Sequence, residues 1–261
     1  MDYRRIRIED VSQRAGATAP PDDLGAADGY HRGVTQRARL AAIRIEALHV
    51  ADFVQPDGSP LAGRPGIVMA YAVVHPDGVL VFDTGIGFDN AAIESAYHPV
   101  VRDLADLLRG RGIRPEDVSA LANSHLHFDH CGQNGAFPGR PILVQAAEYA
   151  AAHGPDYTIS EWVDAPGSRY ETADGEIEVL PDIRLVPTPG HTPGHQSMLI
   201  EAAEGRTALV GQALYTRAEW DGDDEPAVSG WASAWDRAAY RRSVERIRAF
   251  RPDVVLFGHD R

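Results

Sequence analysis

Four side chains of the kinds that bind metal ions fall within six consecutive residues, His125-Leu126-His127-Phe128-Asp129-His130. His125 and His127 are two positions apart, so in an extended segment both imidazoles face the same way and can bind one ion. Asp129 and His130 follow after a change of chain direction and can serve a neighbouring ion. Burying four such groups without a metal would leave several of them needing polar partners. The run therefore predicts a metal site.

Two later segments also carry histidines next to apolar stretches. They are Thr188-Pro189-Gly190-His191-Thr192-Pro193-Gly194-His195 and Phe257-Gly258-His259-Asp260. Side chains in loops beyond strand ends can converge on one rim of a scaffold, so we expect both segments to approach the first run. The other histidines are predicted to be ordinary surface or hydrogen-bonded core residues: His31, His49, His75, His98 and His153.

The elements that must position these segments can be predicted from hydrophobic patterning. Alternating polarity predicts a strand over residues 43–48, and two further strands, 67–74 and 79–82, flank the turn sequence His75-Pro76-Asp77-Gly78. An apolar strand over 118–122 leads directly into the first histidine run. The sequence thus predicts a hairpin early in the folded domain and a strand that delivers the metal ligands.

The rest of the chain alternates groups of strands with helices. Helices are predicted over 100–109, 146–152 and 237–250, and strands over 141–144, 177–180, 183–186, 197–200, 207–210 and 254–257. This order predicts an α/β fold in which two sheets are covered by helices. We expect one hydrolase-sized domain over residues 40–261, preceded by a polar N-terminal arm over 1–39 that is rich in Gly, Pro and Asp.

Composition narrows the class of partner. The 261 residues carry 25 Lys and Arg against 38 Asp and Glu, a net charge of −13, which opposes binding to nucleic acid or to an anionic membrane. Cys131 is the only cysteine, which excludes an intramolecular disulfide and a Cys-rich zinc site, and we expect it to be a small packed residue. No signal-peptide core is recognisable. These features predict a cytoplasmic protein with a small-molecule substrate, and they leave a homodimer open.

The His-x-His-x-Asp-His run, the later Thr-Pro-Gly-His and the terminal Gly-His resemble the metallo-β-lactamase superfamily, in order from Ile43 to the chain end. The resemblance implies a four-layer αβ/βα sandwich with a zinc site at one edge. It implies one ion held by His125, His127 and His191, and a second held by Asp129, His130 and His259. It also implies that His195 and Asp83 contact these ligand residues and hold them in place without binding the metal themselves.

Shorter segments resemble the N-acyl-homoserine lactonase branch: Asn123-Ser124, Cys131-Gly132-Gln133-Asn134, Gln145, Glu148-Tyr149 and His195-Gln196-Ser197. This resemblance implies a lactone ring opened by metal-bound hydroxide. Tyr215 would polarise the carbonyl, and Asp129 could take the displaced proton. Two alternatives stay open. One is hydrolysis of another ester, a thioester or a lactam by the same ligands, and the other is a catalytically impaired metal- or ligand-binding protein.

One position departs from that branch. Three residues before Tyr215, where the family has an aspartate that bridges two metals, this chain has Gln212. A neutral amide can offer its carbonyl oxygen to one ion more readily than it can bridge two, so the second ion should bind more weakly. The lost negative charge should also lower the pKa of bound water further. A dinuclear enzyme, a mononuclear enzyme and a chain without activity all remain open.

Overall fold

The computed structural model describes residues 36–59, 61–223 and 233–261. Most of the predicted N-terminal arm, including His31, therefore lies outside the described residues. Residues 36–42 are helical, so a helix crosses the predicted border between the arm and the domain. Arg39 on this helix pairs with Asp182 at 2.7 Å. The division into an arm and a domain stays a prediction.

Within the described residues the first sheet has seven strands in the order β4-β1-β2-β3-β5-β6-β7. Their bounds are β1 Arg44–Val54, β2 Pro65–His75, β3 Gly78–Phe82, β4 Val100–Val101, β5 Val118–Ala122, β6 Pro141–Gln145 and β7 Arg169–Ala173. The predicted hairpin is present, because β2 and β3 pair antiparallel from Tyr71 opposite Phe82 to His75 opposite Gly78. Strands β3, β5, β6 and β7 run parallel, so the loops that follow them leave from the same edge.

The second sheet has five strands in the order β12-β11-β10-β9-β8. Their bounds are β8 Ile177–Leu180, β9 Ile183–Pro187, β10 Gln196–Ala202, β11 Gly205–Leu209 and β12 Val254–Leu256. The α-helices with described bounds are α1 Ala91–Tyr97, α2 Leu104–Gly110, α3 Phe128–Cys131, α4 Ala146–Ala152, α5 Ser160–Val163, α6 Arg217–Asp221 and α7 Arg237–Phe250. Among the described residues, no helix has the length and apolar character needed to cross a bilayer.

The two sheets pack face to face, and helices cover their outer faces. The central core joins Tyr71 and Phe82 of the first sheet to Leu185 and Met198 of the second. A second cluster packs α2, α4 and α5 against the first sheet, and a third packs Ile247 of α7 against the other. The result is a helix–sheet–sheet–helix arrangement, which confirms the predicted α/β sandwich.

The helix predicted over residues 100–109 was wrong at its start, and the strand predicted over 43–48 extends to Val54. Residues 100–109 were expected to form one helix, but Val100 and Val101 pair with β1 as strand β4, and the helix starts only at Leu104. Asp103 explains the boundary, because its side chain accepts a hydrogen bond from Asp106 N at 2.9 Å and so caps the helix. Strand β7 and helix α1 were not predicted, since both are short and lack a strong hydrophobic period.

Candidate metal centre

The candidate ligands lie in loops that follow strands of both sheets. β5 leads into residues 123–127, after which the chain turns into the short helix α3 that carries Asp129 and His130. The segment with His191 lies between β9 and β10, and His259 follows β12. Beside His259 the two sheets are joined, because Met69 N of β2 donates to Gly258 O at 2.8 Å. Both sheets therefore contribute ligands to one edge of the sandwich.

The first group consists of His125, His127 and His191, which offer ligand atoms within 4.8 Å of one another. Nδ1 of His127 lies 3.0 Å from Nε2 of His125 and 3.2 Å from Nε2 of His191. Ligands at about 2.0–2.1 Å from a tetrahedral ion lie on the order of 3.3 Å apart, so these spacings fit a metal ion.

The second group consists of Asp129, His130 and His259, whose ligand atoms also lie within 4.8 Å of one another. Nε2 of His130 is 3.2 Å from Nε2 of His259. Oδ2 of Asp129 lies 3.7 Å from the first of these nitrogens and 3.5 Å from the second. A carboxylate and two imidazoles make a donor set that suits a divalent transition metal.

Burial sets the charge of four of the five histidines in these groups, whereas at His130 burial is outweighed by Asp129 and Asp83, which raise its pKa. Burial and the surrounding histidines hold the pKa of His125 and His191 well below its ordinary value. Burial likewise lowers the pKa of His127 to about 4 and that of His259 to about 4, although Asp129 opposes both shifts. These four imidazoles are therefore neutral at pH 7, which is the form that binds a metal.

Buried residues behind the ligands fix their orientation. Asp83, at the end of β3, accepts hydrogen bonds from Ser124 N at 2.6 Å and Ser124 Oγ at 2.9 Å, and its Oδ2 lies 2.9 Å from Nδ1 of His130. Nδ1 of His259 lies 2.9 Å from Ile67 O. Such partners fix the ring orientation of a metal-binding histidine.

His195 supports a different part of the site. Its Nε2 accepts a hydrogen bond from Gln212 N at 3.0 Å, and its Nδ1 lies 2.9 Å from Thr188 Oγ1. Both ring nitrogens are thus already engaged by the protein, which leaves neither to a metal. His195 and Asp83 therefore both lie against ligand-bearing segments, and the supporting role that the resemblance implies for them stays a prediction.

Gln212 lies at the site, as the sequence spacing predicted. It follows β11 directly after Gly211, it is buried, and it lines the same cavity as His127, Asp129 and Tyr215. Its Oε1 atom is buried and has no partner of ordinary hydrogen-bond geometry among the described residues, although the Gln212 side chain lies close enough to His130 to help raise the pKa of that imidazole. A buried carbonyl oxygen without a partner is costly, and a metal ion beside it would satisfy it. The two donor groups and this oxygen fit a divalent metal.

Tyr215 also lines that cavity. Its ring stacks on the imidazole of His259 with centroids 4.6 Å apart, and its Oη accepts a hydrogen bond from Gln55 Nε2 at 3.1 Å. The cavity has a volume of about 720 Å³. Its apolar lining consists of Phe53, Leu61, Ile93, Tyr97, Phe128 and Ile159. The ligand groups therefore open onto a space large enough for a small molecule.

Sequence comparison identifies the family to which this architecture belongs. The profile of the Metallo-beta-lactamase superfamily matches residues 63–259. The chain belongs to this superfamily. The superfamily resemblance predicted from the His-x-His-x-Asp-His run is confirmed.

Individual relatives within the superfamily are named as lactonases. A Bacillus sp. N-acyl homoserine lactonase is 35% identical over 206 residues, which cover 74% of this chain and 81% of the relative. The N-acyl homoserine lactonase AttM of Rhizobium radiobacter is 32% identical over 217 residues, covering 73% and 80%. A solved N-acyl homoserine lactone hydrolase with N-hexanoyl-L-homoserine at its catalytic metal centre is 27% identical, with a TM-score of 0.68 and coverage of 84% and 92%.

Several residues near the candidate metal ligands were not predicted from the sequence. The ring of Tyr157 lies 4.9 Å from that of His127, and its hydroxyl donates to Glu148. Gln55 and Phe53 reach the cavity from the end of β1. No local pattern marks these positions, because only the folded chain brings them to the site. Glu148 did have a signal, since it belongs to a segment that resembles the lactonase branch.

The cysteine and the other described histidines do not belong to either ligand group. Cys131 is fully buried, burial raises the pKa of its thiol, and Sγ donates to Leu126 O at 3.4 Å, so it is a packed core residue. Among the described histidines outside the ligand groups, His98 caps α1 and His153 is exposed. The carboxylate of Glu219, the first acid after Gln212 in the chain, accepts hydrogen bonds from Tyr215 N at 2.7 Å and from Tyr240 Oη at 2.6 Å.

Proposed function

We propose that this protein is a zinc-dependent hydrolase that opens the ring of N-acyl homoserine lactones. The observation that carries the proposal is that two groups of three ligand side chains open onto one cavity with Tyr215 in its wall. The sequence predicted a hydrolase that acts on an ester or lactone bond. Relatives that are named N-acyl homoserine lactonase and align over about three-quarters of the chain confirm this prediction. Another solved relative, 28% identical with a TM-score of 0.69, is described as a quorum-quenching lactonase.

The two ligand groups would hold two ions. His125, His127 and His191 would bind the first, and Asp129, His130 and His259 the second. Imidazoles with one carboxylate suit zinc, which supports this choice of metal. A bound zinc ion supplies polarisation of the lactone carbonyl and a water of lowered pKa.

Gln212 would offer its unpartnered Oε1 to one ion only. Of the three readings that the sequence left open, we propose an active enzyme whose second ion is held less tightly. This choice is supported because the six ligands, Tyr215 and the cavity are all retained. The amide in place of a bridging carboxylate removes one negative charge and one shared ligand, which weakens binding of the second ion, but both groups of three side chains stay intact.

Tyr215 would stabilise the charge that develops on the lactone carbonyl oxygen. Burial raises the pKa of Tyr215 to about 12, with Asp129 contributing, so the phenol keeps its proton at neutral pH. Because Oη accepts from Gln55, its own hydrogen is free to donate to the substrate. A fixed donor aimed at a developing oxyanion is a strong source of rate enhancement.

Asp129 would take the proton that the attacking water releases. Burial acts to raise the pKa of this carboxyl, but His130 and His259 outweigh burial and hold it below its ordinary value. The group is therefore ionised at pH 7. Asp129 also lines the cavity, so its carboxylate is within reach of a bound substrate.

The apolar lining of the cavity would hold the acyl chain. Phe53 and Tyr97 contact edge to face with centroids 6.1 Å apart, and Tyr97 contacts Phe128 with centroids 4.8 Å apart. Ile93 and Ile159 extend this wall. Apolar area of this kind stabilises a bound alkyl chain by about 0.8 kcal/mol per buried methylene, which favours an acylated lactone over a bare one.

Acid release tests the proposal. Zinc-loaded protein should release acid from N-acyl homoserine lactones, and protein stripped by a chelator should not. No release above the stripped control for both short and long acyl chains would refute lactonase activity. The cytoplasmic location and the homodimer stay predictions from the sequence.

A further inference from the structure

The first ligand group is assembled from two loops that are distant in sequence. His125 and His127 belong to the loop after β5, and His191 belongs to the loop between β9 and β10. The distance of 3.2 Å between ring nitrogens of His127 and His191 depends on how these two loops are held together. A buried carboxylate, that of Glu148 on α4, contacts both loops.

Glu148 is completely buried and accepts four hydrogen bonds. Oε1 accepts from Leu126 N at 2.9 Å, between the two histidines of the first loop, and from the hydroxyl of Tyr157. Oε2 accepts from Thr192 Oγ1 at 2.6 Å and from Gly194 N at 3.2 Å, on the second loop. Each carboxylate oxygen thus binds one of the two loops.

The second loop also packs directly on the backbone of α4. A Cβ atom added to Gly194 would lie 2.1 Å from Glu148 N and 2.6 Å from Glu148 Cα, so only glycine permits this approach. Thr192, the residue next to His191, is fixed to the same carboxylate. The loop is therefore held both by contact with the helix and by hydrogen bonds to its side chain.

We propose that Glu148 is the positioning residue of the first ligand group, which holds His191 in register with His125 and His127. The inference rests on the metal binding of the proposed function and is independent of the lactone. It assigns Glu148 to one half of the centre. Asp83 directly contacts His130 in the other half.

The four hydrogen-bond donors around Glu148 require a carboxylate and cannot all be satisfied by a glutamine side chain. Burial raises the pKa of Glu148, and the hydrogen bonds from Thr192, Tyr157 and the two backbone amides oppose that shift by stabilising the ionised form. An ionised carboxylate is only an acceptor, so both oxygens can bind backbone N–H groups. A glutamine has the same shape, but one of its two oxygens becomes an NH₂ donor. In either orientation that NH₂ would face the N–H of Leu126 or of Gly194, and the backbone donor would lose its partner. Thr192 and Tyr157 could rotate their hydroxyls, but the backbone amides could not.

Glu148→Gln therefore keeps the packing and releases one loop. We expect the affinity for the first equivalent of zinc to fall about 10- to 100-fold, as is typical when the partner that orients a metal ligand is removed. Competition with a chromophoric chelator measures this change. The visible absorption of the cobalt-substituted protein, which reports ligand geometry, should also change.

Glu176→Gln is the matched control. Glu176 is a largely buried carboxylate that pairs with Arg184 at 2.6 Å and Arg246 at 2.7 Å, so the same substitution removes an ion-pair partner away from the ligands. Its thermal stability should fall while its metal affinity and cobalt spectrum stay those of the wild type. Equal loss of affinity in both variants would mean a general loss of stability and would overturn the assignment.

Wild-type affinity and spectrum in Glu148→Gln would also overturn it. If that variant fails to fold, Thr192→Val removes one of the four donors at nearly constant shape. We expect an intermediate loss of affinity there, and an unchanged affinity would reject the assignment. A wild-type protein that binds no metal would instead refute the proposed function together with this inference.

Discussion

The ring of Tyr215 stacks on the imidazole of His259, with centroids 4.6 Å apart and 23° between their planes. The stacking places a phenol hydroxyl beside a candidate metal ligand at the wall of the cavity. Gln55, which follows β1, donates a hydrogen bond to that hydroxyl at 3.1 Å. The ring of Tyr215 contacts the second ligand group, whereas its hydroxyl is the proposed oxyanion donor. A mutation that removes only the hydroxyl therefore separates catalysis from metal binding.

Removing the Tyr215 hydroxyl should reduce catalysis and spare metal binding. We expect Tyr215→Phe to lower kcat/KM for an acyl homoserine lactone about 100-fold, since loss of one oxyanion donor commonly has this size. Zinc content should stay unchanged because the phenyl ring still stacks on His259. Tyr149→Phe, whose ring contacts His153 and Tyr170, is the control and should keep wild-type kinetics.

A negative charge at position 212 should strengthen binding of the second metal ion. A carboxylate in Gln212→Asp can bridge two ions and adds one negative charge, so the second equivalent of zinc should bind at least about 10-fold more tightly. Gln212→Ala is the comparison, because it removes the oxygen without adding charge. Equal affinity for both ions before and after the aspartate change would refute our account of this position.

The metal-free protein should lose stability as the pH falls through the range in which buried histidines resist protonation. Burial holds the pKa of His127 and His259 at about 4, against 6.5 for the ordinary side chain. Between these values the histidines with lowered pKa bind more protons in the unfolded chain than in the folded one. They outnumber His130, whose raised pKa acts in the opposite direction, so the free energy of unfolding decreases with decreasing pH. Urea midpoints of chelator-treated protein at pH 7 and pH 5 measure it. A midpoint that stays constant or rises on acidification contradicts this assignment.

Shortening the apolar wall should weaken binding of long acyl chains selectively. Ile159→Ala removes apolar surface from the cavity, and losing about 1.4 kcal/mol of contact with a long chain corresponds to a 10-fold rise in KM. Lactones with short chains should be affected less. Val254→Ala, at an exposed position on β12, serves as the control. A rise in KM that is the same for short and long chains would show that the wall does not bind the acyl group.

The parts of the candidate site whose positions could be predicted from the sequence are those encoded over short distances. His125 to His130 form a dense run directly after β5, and the strand predicted over 118–122 has those bounds in the structure. Local spacing suffices there because the strand and the loop are continuous in the chain. His191 and His259 were predicted from their motifs and the resemblance, and the fold then brought them to the first run.

What the sequence could not predict depends on tertiary contacts. Tyr157 and Gln55 approach the centre only because α4, α5 and the end of β1 pack around it, and no periodic pattern carries that information. The error at residues 100–109 also has a tertiary cause. Val100 and Val101 pair with β1, which outweighs the apolar spacing that indicated a helix.

Bound zinc and turnover measured on the same sample test the central claim most directly. Metal-free protein is titrated with zinc, and at each step the ions per chain and the rate of acid release from an N-acyl homoserine lactone are determined together. We predict no release without zinc, a rate that rises with occupancy, and about two ions per chain at saturation. A saturated protein that releases no acid, or a rate that is unchanged by removal of the metal, would contradict the account.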